Sequence, residues 1–136
     1  MNDVMVEKTD SLLRCLKRIE GKRPAKVDVL VNDYDLQDII ILNLERAVQQ
    51  AVDMAMHVLA KSGKPAPDTM REAFAVLAEQ GVITEQTALN MQHAVGFRNT
   101  AVHAYQQINW AIVFSIINEH LNDFRQYLRE IETYSQ

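Results

Sequence analysis

The sequence predicts an all-α protein, folded as an antiparallel bundle of four or five helices that dimerises. Between about residues 109 and 133, apolar side chains recur at alternating steps of four and three, as in a helix packed along one face. A central segment between residues 40 and 59 carries two adjoining apolar stripes, as expected of a bundle helix in a protein that also dimerises. Stop signals at residues 21, 63–67 and 81 separate these segments.

The first helix is predicted from about Asn2 to Gly21, where glycine is a stop signal. Its apolar stripe consists of Met5, Leu12, Leu16 and Ile19. Two basic pairs, at 17–18 and 22–23, are interpreted as a solvated helix end in preference to an RNA contact, because cations suit a helix C-terminus. Residues 25–31 alternate briefly between apolar and polar, but a lone strand would have no partner, so a loop is predicted there.

The second helix is predicted to be the longest and most buried. Asn32, Asp33 and Asp35 are candidate N-caps, and Asp38 suits the first turn. Capping explains these acidic residues better than a metal site does, and no metal site is predicted. Its two apolar stripes are Ile40, Leu44, Ala47, Ala51, Met54 and Val58, and Ile41, Val48, Val52, Ala55 and Leu59.

On the less apolar side of the second helix, Asp53 and His57 are four residues apart and could form a surface pair. Asp53 is therefore a candidate supporting residue for a functional site, although an ordinary surface contact is the simpler interpretation.

The remaining elements follow from local signals. Asp68 or Thr69 should cap a short third helix that ends at Gly81, and Thr84 should open a fourth that reaches about Gly96. Whether the chain continues as one helix beyond that glycine or bends there stays open. The last helix is predicted from about residue 109 to 133, with the core stripe Trp110, Phe114, Ile117, Leu121, Phe124, Leu128 and Ile131.

Length and composition restrict the class of protein. The 136 residues fit one domain, 1–136, and the net charge of −4 argues against a chain that binds specific DNA on its own. The lone Cys15 allows no internal disulfide, and Asp3 and Glu7 near the start do not fit a signal peptide. No apolar segment approaches the length of a membrane span, so a cytoplasmic protein without a membrane partner is expected.

The segment 96–105 concentrates the polar chemistry of the chain. Read as one helix, it places Asn99 and His103 about 100° and 140° from Arg98 on one side, and Tyr105 about 20° from it on the other. Phe97, Ala101 and Ala104 would face the core, whereas Val102 is an apolar residue within the polar arc. An exposed valine there would suit a protein contact beside a functional groove.

Arg98 and His103 together suggest phosphodiester chemistry without a metal. A guanidinium binds phosphate oxygens and stabilises the charge that grows in the transition state, and an imidazole exchanges protons near neutral pH. In RNA, a base that removes the 2′-hydroxyl proton makes that oxygen the nucleophile. Asn99, one turn before His103, could hydrogen-bond the imidazole or the RNA. An arginine and a histidine at this spacing also occur by chance as an ordinary surface pair.

The fuller string Arg98-Asn99-x-x-Val102-His103-x-Tyr105 resembles the signature of the HEPN superfamily, most closely that of HepT-like toxins of prokaryotic toxin–antitoxin pairs. The resemblance implies a small all-α homodimer that cleaves RNA without metal or cofactor, at a site formed where two copies of the motif meet. It also implies a minimal nucleotidyltransferase antitoxin as partner, which transfers AMP to the motif tyrosine. Arg98 and His103 would then be the catalytic pair, Asn99 a supporting residue and Tyr105 the modification site.

Three hypotheses follow from the sequence. The first is a metal-independent endoribonuclease toxin. The second is a non-catalytic helical module that docks or is modified by a nucleotidyltransferase. The third is a structural bundle without an active site.

Overall fold

The computed structural model describes residues 2–135, and all regular structure within that range is helical. The elements are α1 (Asp3–Lys22), α2 (Val27–Asn32), α3 (Tyr34–Ala60), α4 (Met70–Glu79), α5 (Glu85–His103), a 3₁₀ turn (Tyr105–Gln107), α6 (Trp110–Ser115), a π turn (Ile116–His120) and α7 (Leu121–Ser135). The last three follow one another directly as one long helical segment. The prediction of an all-α bundle is confirmed.

Helix α3 is the centre of the bundle, as its two apolar stripes predict. It packs against α1, α2, α4 and α5, and most of the residues of both stripes are buried. Its start is the predicted one, because the Asp33 carboxylate accepts a 3.0 Å hydrogen bond from the backbone N–H of Leu36. The first helix and the helix capped by Thr69 also form close to where they were predicted.

The prediction of a loop over residues 25–31 is wrong, because α2 forms there. Leu30 is completely buried, and α2 packs against α3 and α6. The buried Gln37 side chain donates to the carbonyls of Leu30 and Val31 at 2.9 and 3.1 Å, which satisfies acceptors at the end of this short helix. The packing of α2 on α6 joins segments that are distant in sequence, so the local pattern could not predict this helix.

A carboxylate from α7 stabilises the start of α5. Glu130 accepts hydrogen bonds from the backbone N–H of Thr84, at 2.7 Å, and from the Thr87 hydroxyl, at 2.5 Å. Burial raises the pKa of Glu130, but the hydrogen bonds from Thr87, Thr84 and Gln126 outweigh burial and leave its pKa below the ordinary value. Glu130 thereby joins α7 to the first turn of α5.

The C-terminal helical segment contains a π turn that its sequence pattern does not predict. Five of the seven stripe residues are buried, but Trp110 and Phe114 are only partly so. The wider turn shifts the face that packs on the core, and Val113 and Tyr127 become completely buried. The Tyr127 ring meets Phe74 edge-on at 5.5 Å, and its hydroxyl donates to the Ala51 carbonyl at 2.8 Å.

Within residues 2–135, no helix is both long enough and apolar enough to span a bilayer.

Candidate functional site

The motif occupies the last turns of α5. This helix runs without interruption from Glu85 through Gly96 to His103, which settles the question left open by the glycine. It stops at Ala104, whose φ of −145° and ψ of 49° leave the helical region, while its N–H still bonds to the Thr100 carbonyl at 2.8 Å. The interpretation of 96–105 as one helix is therefore wrong for Tyr105, which lies in the 3₁₀ turn that follows.

Arg98 is half-buried and has an unused donor. One Nη donates to Asn99 Oδ1 at 3.3 Å, which holds the guanidinium against the adjacent amide. Its Nε is buried without a hydrogen-bond partner among residues 2–135. The ion pairs in this part of the chain join Lys8 to Asp53, His120 to Asp123 and Arg125 to Glu20, so none neutralises Arg98. A buried donor without a partner is costly, and an anion that binds here would supply one.

His103 and Val102 are exposed at the end of α5, and Val102 retains 44% of its accessible surface. Ala101 is buried and Phe97 and Ala104 are partly buried, as the core-facing side of the motif predicts. Both side chains are therefore accessible to another macromolecule at this end of α5.

Two contacts hold the Tyr105 side chain, one through its hydroxyl and one through its ring. Its hydroxyl donates to Asp38 Oδ1 on α3 at 2.7 Å, and its ring meets Trp110 edge-on with centroids 6.1 Å apart. Burial, the hydrogen bond to Asp38 and the charges of Asp38 and Glu45 together raise the pKa of Tyr105 to about 12. Tyr105 as a whole still has 39% of its surface exposed, so the residue is positioned by its contacts but remains accessible.

Asp38 is the residue that the sequence did not associate with the motif. It lies 67 positions before Tyr105. The first-turn place that the sequence predicted for Asp38 belongs to Asp35, because α3 begins at Tyr34, and no local signal connects Asp38 to the motif. The packing of α3 against α5 brings them together.

Asp53 lies elsewhere. It is 15 residues after Asp38 in the same helix, which places it about 22 Å further along the axis. Its carboxylate pairs with Lys8 at 3.0 Å and accepts from Gln49 at 2.8 Å, whereas His57 bonds to Asn2 at 2.7 Å. The structure thus brings Arg98, Asn99 and Tyr105 to one end of α5, and it places Asp53 in a separate ion pair.

A second guanidinium lies along α5. The side chain of Arg71, from α4, is so close to Gly96 that an added Cβ would come within 2.5 Å of Nη2. Gly96 and His103 are seven residues apart, so they lie within about 20° of each other around the helix and about 10 Å apart along it. Arg71 and His103 therefore lie along the same side of α5.

A cavity of about 260 Å³ lies between α3, α5 and the C-terminal helical segment. Its lining is mostly apolar and includes Phe97 and Ile112, with His93, His120 and Asp123 as titratable residues. Phe97 is about 100° from Arg98 around the helix, so this cavity opens away from the guanidinium. Over the described range, no three His, Cys, Asp or Glu side chains are grouped as ligands for a metal ion.

The chain resembles characterised proteins along nearly its whole length. A family model described as "Ribonuclease HepT-like" matches residues 12–131. The mRNA nuclease HepT of Shewanella oneidensis is 36% identical over 132 residues, which are 97% of this chain and 98% of that protein. The tRNA nuclease HepT of Aphanizomenon flos-aquae is 29% identical over 119 residues, which are 88% of this chain and 79% of that protein.

A solved structure gives the same relationship in three dimensions. The tri-AMPylated HEPN toxin of Shewanella oneidensis, in complex with an MNT antitoxin, superimposes with a TM-score of 0.91 at 35% identity. The superposition covers 98% of this chain and 99% of that toxin.

Proposed function

The chain belongs to the HepT-like ribonuclease family, and we propose that it is the toxin of a toxin–antitoxin pair, an endoribonuclease that cleaves RNA without a metal ion. Residues 1–136 act as a single HEPN domain, and two copies form the active dimer. A minimal nucleotidyltransferase antitoxin neutralises it by transferring AMP to Tyr105. The nuclease proposal rests on the half-buried guanidinium of Arg98, which has no ion-pair partner among residues 2–135, and on the exposed His103 in the same last turns of α5.

In the proposed reaction, Arg98 stabilises negative charge and His103 transfers a proton. The guanidinium binds the scissile phosphate and stabilises the negative charge that develops on its oxygens. The imidazole transfers a proton, either from the attacking 2′-hydroxyl or to the leaving 5′-oxygen. The products are a 2′,3′-cyclic phosphate and a free 5′-hydroxyl. Asn99 supports the reaction by holding the Arg98 guanidinium through their 3.3 Å contact.

The helix geometry favours a site assembled from two chains. Within one chain, Arg98 and His103 are separated by about 140° around α5 and about 7.5 Å along it, an awkward arrangement for one phosphate. A two-fold axis beside α5 would bring one chain's arginine towards the other's histidine. Val102 lies between them and offers an apolar contact, and Leu42 on α3, one turn after Asp38, is also 44% exposed.

Arg71 extends the anion-binding surface. Its guanidinium lies on the His103 side of α5, with no carboxylate partner in the described part of the chain, and it suits a phosphate next to the scissile one. Local cations of this kind let a protein with a net charge of −4 hold RNA without a broad basic face. The Lys8 pairing of Asp53 supports a structural role for that carboxylate in place of the catalytic support that its spacing suggests.

Modification of Tyr105 explains neutralisation by position and charge. The tyrosine follows His103 by two residues, so a nucleotide on its hydroxyl adds bulk and negative charge beside the groups that bind RNA phosphate. The Shewanella oneidensis relative is AMPylated and bound to its MNT antitoxin, which supports the same partner for this chain.

The decisive experiment is RNA cleavage by the purified protein in excess EDTA. We expect cleavage to persist and to leave 2′,3′-cyclic phosphate ends, whereas a requirement for Mg²⁺ would exclude this mechanism. His103→Ala should abolish both cleavage and growth arrest without unfolding the protein. His93→Ala is the matched control, because it removes an exposed histidine from the same helix outside the motif.

Two further results would favour the non-catalytic binding module. One is growth arrest that survives His103→Ala. The other concerns the antitoxin: intact mass after co-expression should show AMP on Tyr105, and a silenced complex with unmodified tyrosine would mean that docking alone inhibits.

A further inference from the structure

Asp38 is the one acidic group in contact with the Tyr105 hydroxyl among the described residues, and this contact has a chemical consequence. The phenol donates this 2.7 Å hydrogen bond to Oδ1, so the carboxylate is already placed to accept the proton that any reaction at this oxygen must remove. Trp110 fixes the ring from the other side, and the 3₁₀ turn fixes its backbone. Oxygen, proton and acceptor are therefore in place before any partner binds.

We propose that Asp38 is the general base for nucleotidyl transfer to Tyr105, so that the toxin supplies part of the chemistry of its own inactivation. The inference rests on the proposed role of Tyr105 as AMP acceptor. The phenol oxygen attacks the α-phosphorus of ATP and forms the new O–P bond. The bond from that phosphorus to the bridging oxygen breaks, and pyrophosphate leaves with its electron pair. The phenolic proton passes to Asp38 and then to water.

The surroundings of the phenol explain why a base is needed. With a pKa raised to about 12, Tyr105 is ionised in only roughly one molecule in 100,000 at pH 7. A reaction through the preformed phenolate would be slow, whereas transfer of the proton during attack avoids that state. Protein kinases use the same relationship, in which an aspartate accepts the proton of the substrate hydroxyl. The charged groups that act on Tyr105 are Asp38 and Glu45, both from α3.

Asp38→Asn tests the proposal, because the amide oxygen can still accept the hydrogen bond but cannot take the proton. The nucleotidyltransferase partner, ATP labelled at the α-phosphate and intact-mass analysis give the rate of AMP transfer. We expect a fall of about 10²- to 10⁴-fold, the usual contribution of a general base. The residual rate should rise tenfold per pH unit, because it depends on the phenolate, whereas the wild-type rate should be nearly flat around neutrality.

Asp35→Asn is the matched control. It removes the same charge three residues earlier on α3, from an exposed aspartate of the first turn, and should leave both rate and pH profile unchanged. Asp38→Glu should retain part of the rate, because it keeps a carboxylate near the phenol. A residue that only shaped the surface would change the affinity for the partner and leave the pH profile as it is.

The outcomes separate the two proposals. If Asp38→Asn is modified at the wild-type rate with the wild-type pH profile, Asp38 is not the base, and Tyr105 remains the acceptor. If the wild-type protein itself carries no nucleotide on Tyr105, the modification and this inference both fall. An NMR titration of the Tyr105 ring gives an independent check: its pKa should decrease in Asp38→Asn and stay unchanged in Asp35→Asn.

Discussion

Arg23 Nη1 donates a 2.9 Å hydrogen bond to the backbone carbonyl of Ile117, within the π turn that precedes α7. The wide turn disrupts the regular helical bonding, and the arginine at the end of α1 supplies a donor for it. We expect Arg23→Met to lower the free energy of unfolding by about 1–2 kcal/mol, because the part-buried carbonyl loses a charged donor. Urea unfolding measures this, and Lys22→Met, an exposed neighbour, is the control. Equal stability of the two variants would contradict the role assigned to Arg23.

Gly96 and Gly81 should respond in opposite ways to alanine. Gly96 is in the interior of α5 with ordinary helical geometry. Among the described residues outside this helix, the flexible end of the Arg71 side chain is what an added Cβ would meet. Gly96→Ala should therefore stabilise the protein by up to about 1 kcal/mol, the difference in helix propensity. Gly81 has a φ of +74°, so Gly81→Ala should cost about 1–2 kcal/mol although no atom of the other described residues, apart from its chain neighbours, lies within 4 Å of the added carbon. Thermal unfolding measures both, and a destabilising Gly96→Ala would mean that Arg71 cannot move aside.

Local signals predicted the parts of the fold that depend on local physics. Asp33, Thr69 and Thr84 cap helices where the sequence placed caps, because capping involves backbone groups only two or three residues away. The long apolar stripes identified the buried faces for the same reason. The α2 helix was missed because Leu30 and Gln37 stabilise it through tertiary contacts.

In the candidate site, too, local signals predicted some residues, whereas tertiary contacts determine others. The motif string identified Arg98, Asn99, His103 and Tyr105, but not the break at Ala104 that removes Tyr105 from the helix. The acceptor for Tyr105 was out of reach of any local pattern, because Asp38 meets it only after α3 packs on α5. The dimer stays a prediction from the family resemblance and from the two apolar stripes of the central helix, and the exposed Val102 marks where its interface would lie.

The buried hydroxyl of Tyr127 should make stability depend on alkaline pH. Burial raises its pKa well above the ordinary value of 10, so above pH 10 the unfolded chain releases a proton that the folded chain retains. The contribution of Tyr127 to the free energy of unfolding is therefore fully present below pH 10. Above pH 10, this group lowers the free energy of unfolding by about 1.4 kcal/mol per pH unit. Tyr127→Phe should lower the free energy of unfolding by about 1 kcal/mol at neutral pH, because the hydrogen bond to Ala51 is lost, and this deficit should shrink above pH 10.

Denaturation at a series of pH values measures the deficit. Tyr134→Phe, which changes a half-exposed tyrosine, is the control. A constant deficit up to pH 11 would contradict the assignment.

Val102→Asp should dissociate the proposed dimer without unfolding the chain. The side chain is 44% exposed, so an aspartate there costs little in the monomer but places a charge in the proposed interface. We expect a monomer in sedimentation velocity, a helical content like that of the wild type and at least a tenfold loss of RNA cleavage. Val4→Asp, which replaces a valine of 47% exposure in α1, should remain dimeric and active. A Val102→Asp dimer with full activity would exclude Val102 from the interface.

Mixing two inactive variants should restore activity if the site joins two chains. Arg98→Ala and His103→Ala should each lack activity alone. In a mixed dimer, however, the arginine of one chain meets the histidine of the other, so one complete pair survives. Random exchange makes half of the dimers mixed. Each mixed dimer has one intact site and one site that lacks both groups, so roughly a quarter of wild-type cleavage should return. The measurement uses variants with different tags, unfolded together and refolded, with each variant refolded alone and an Arg98→Ala and Asn99→Ala mixture for comparison. If each chain held its own complete site, no mixture could restore cleavage, because every chain would still lack one of the two groups.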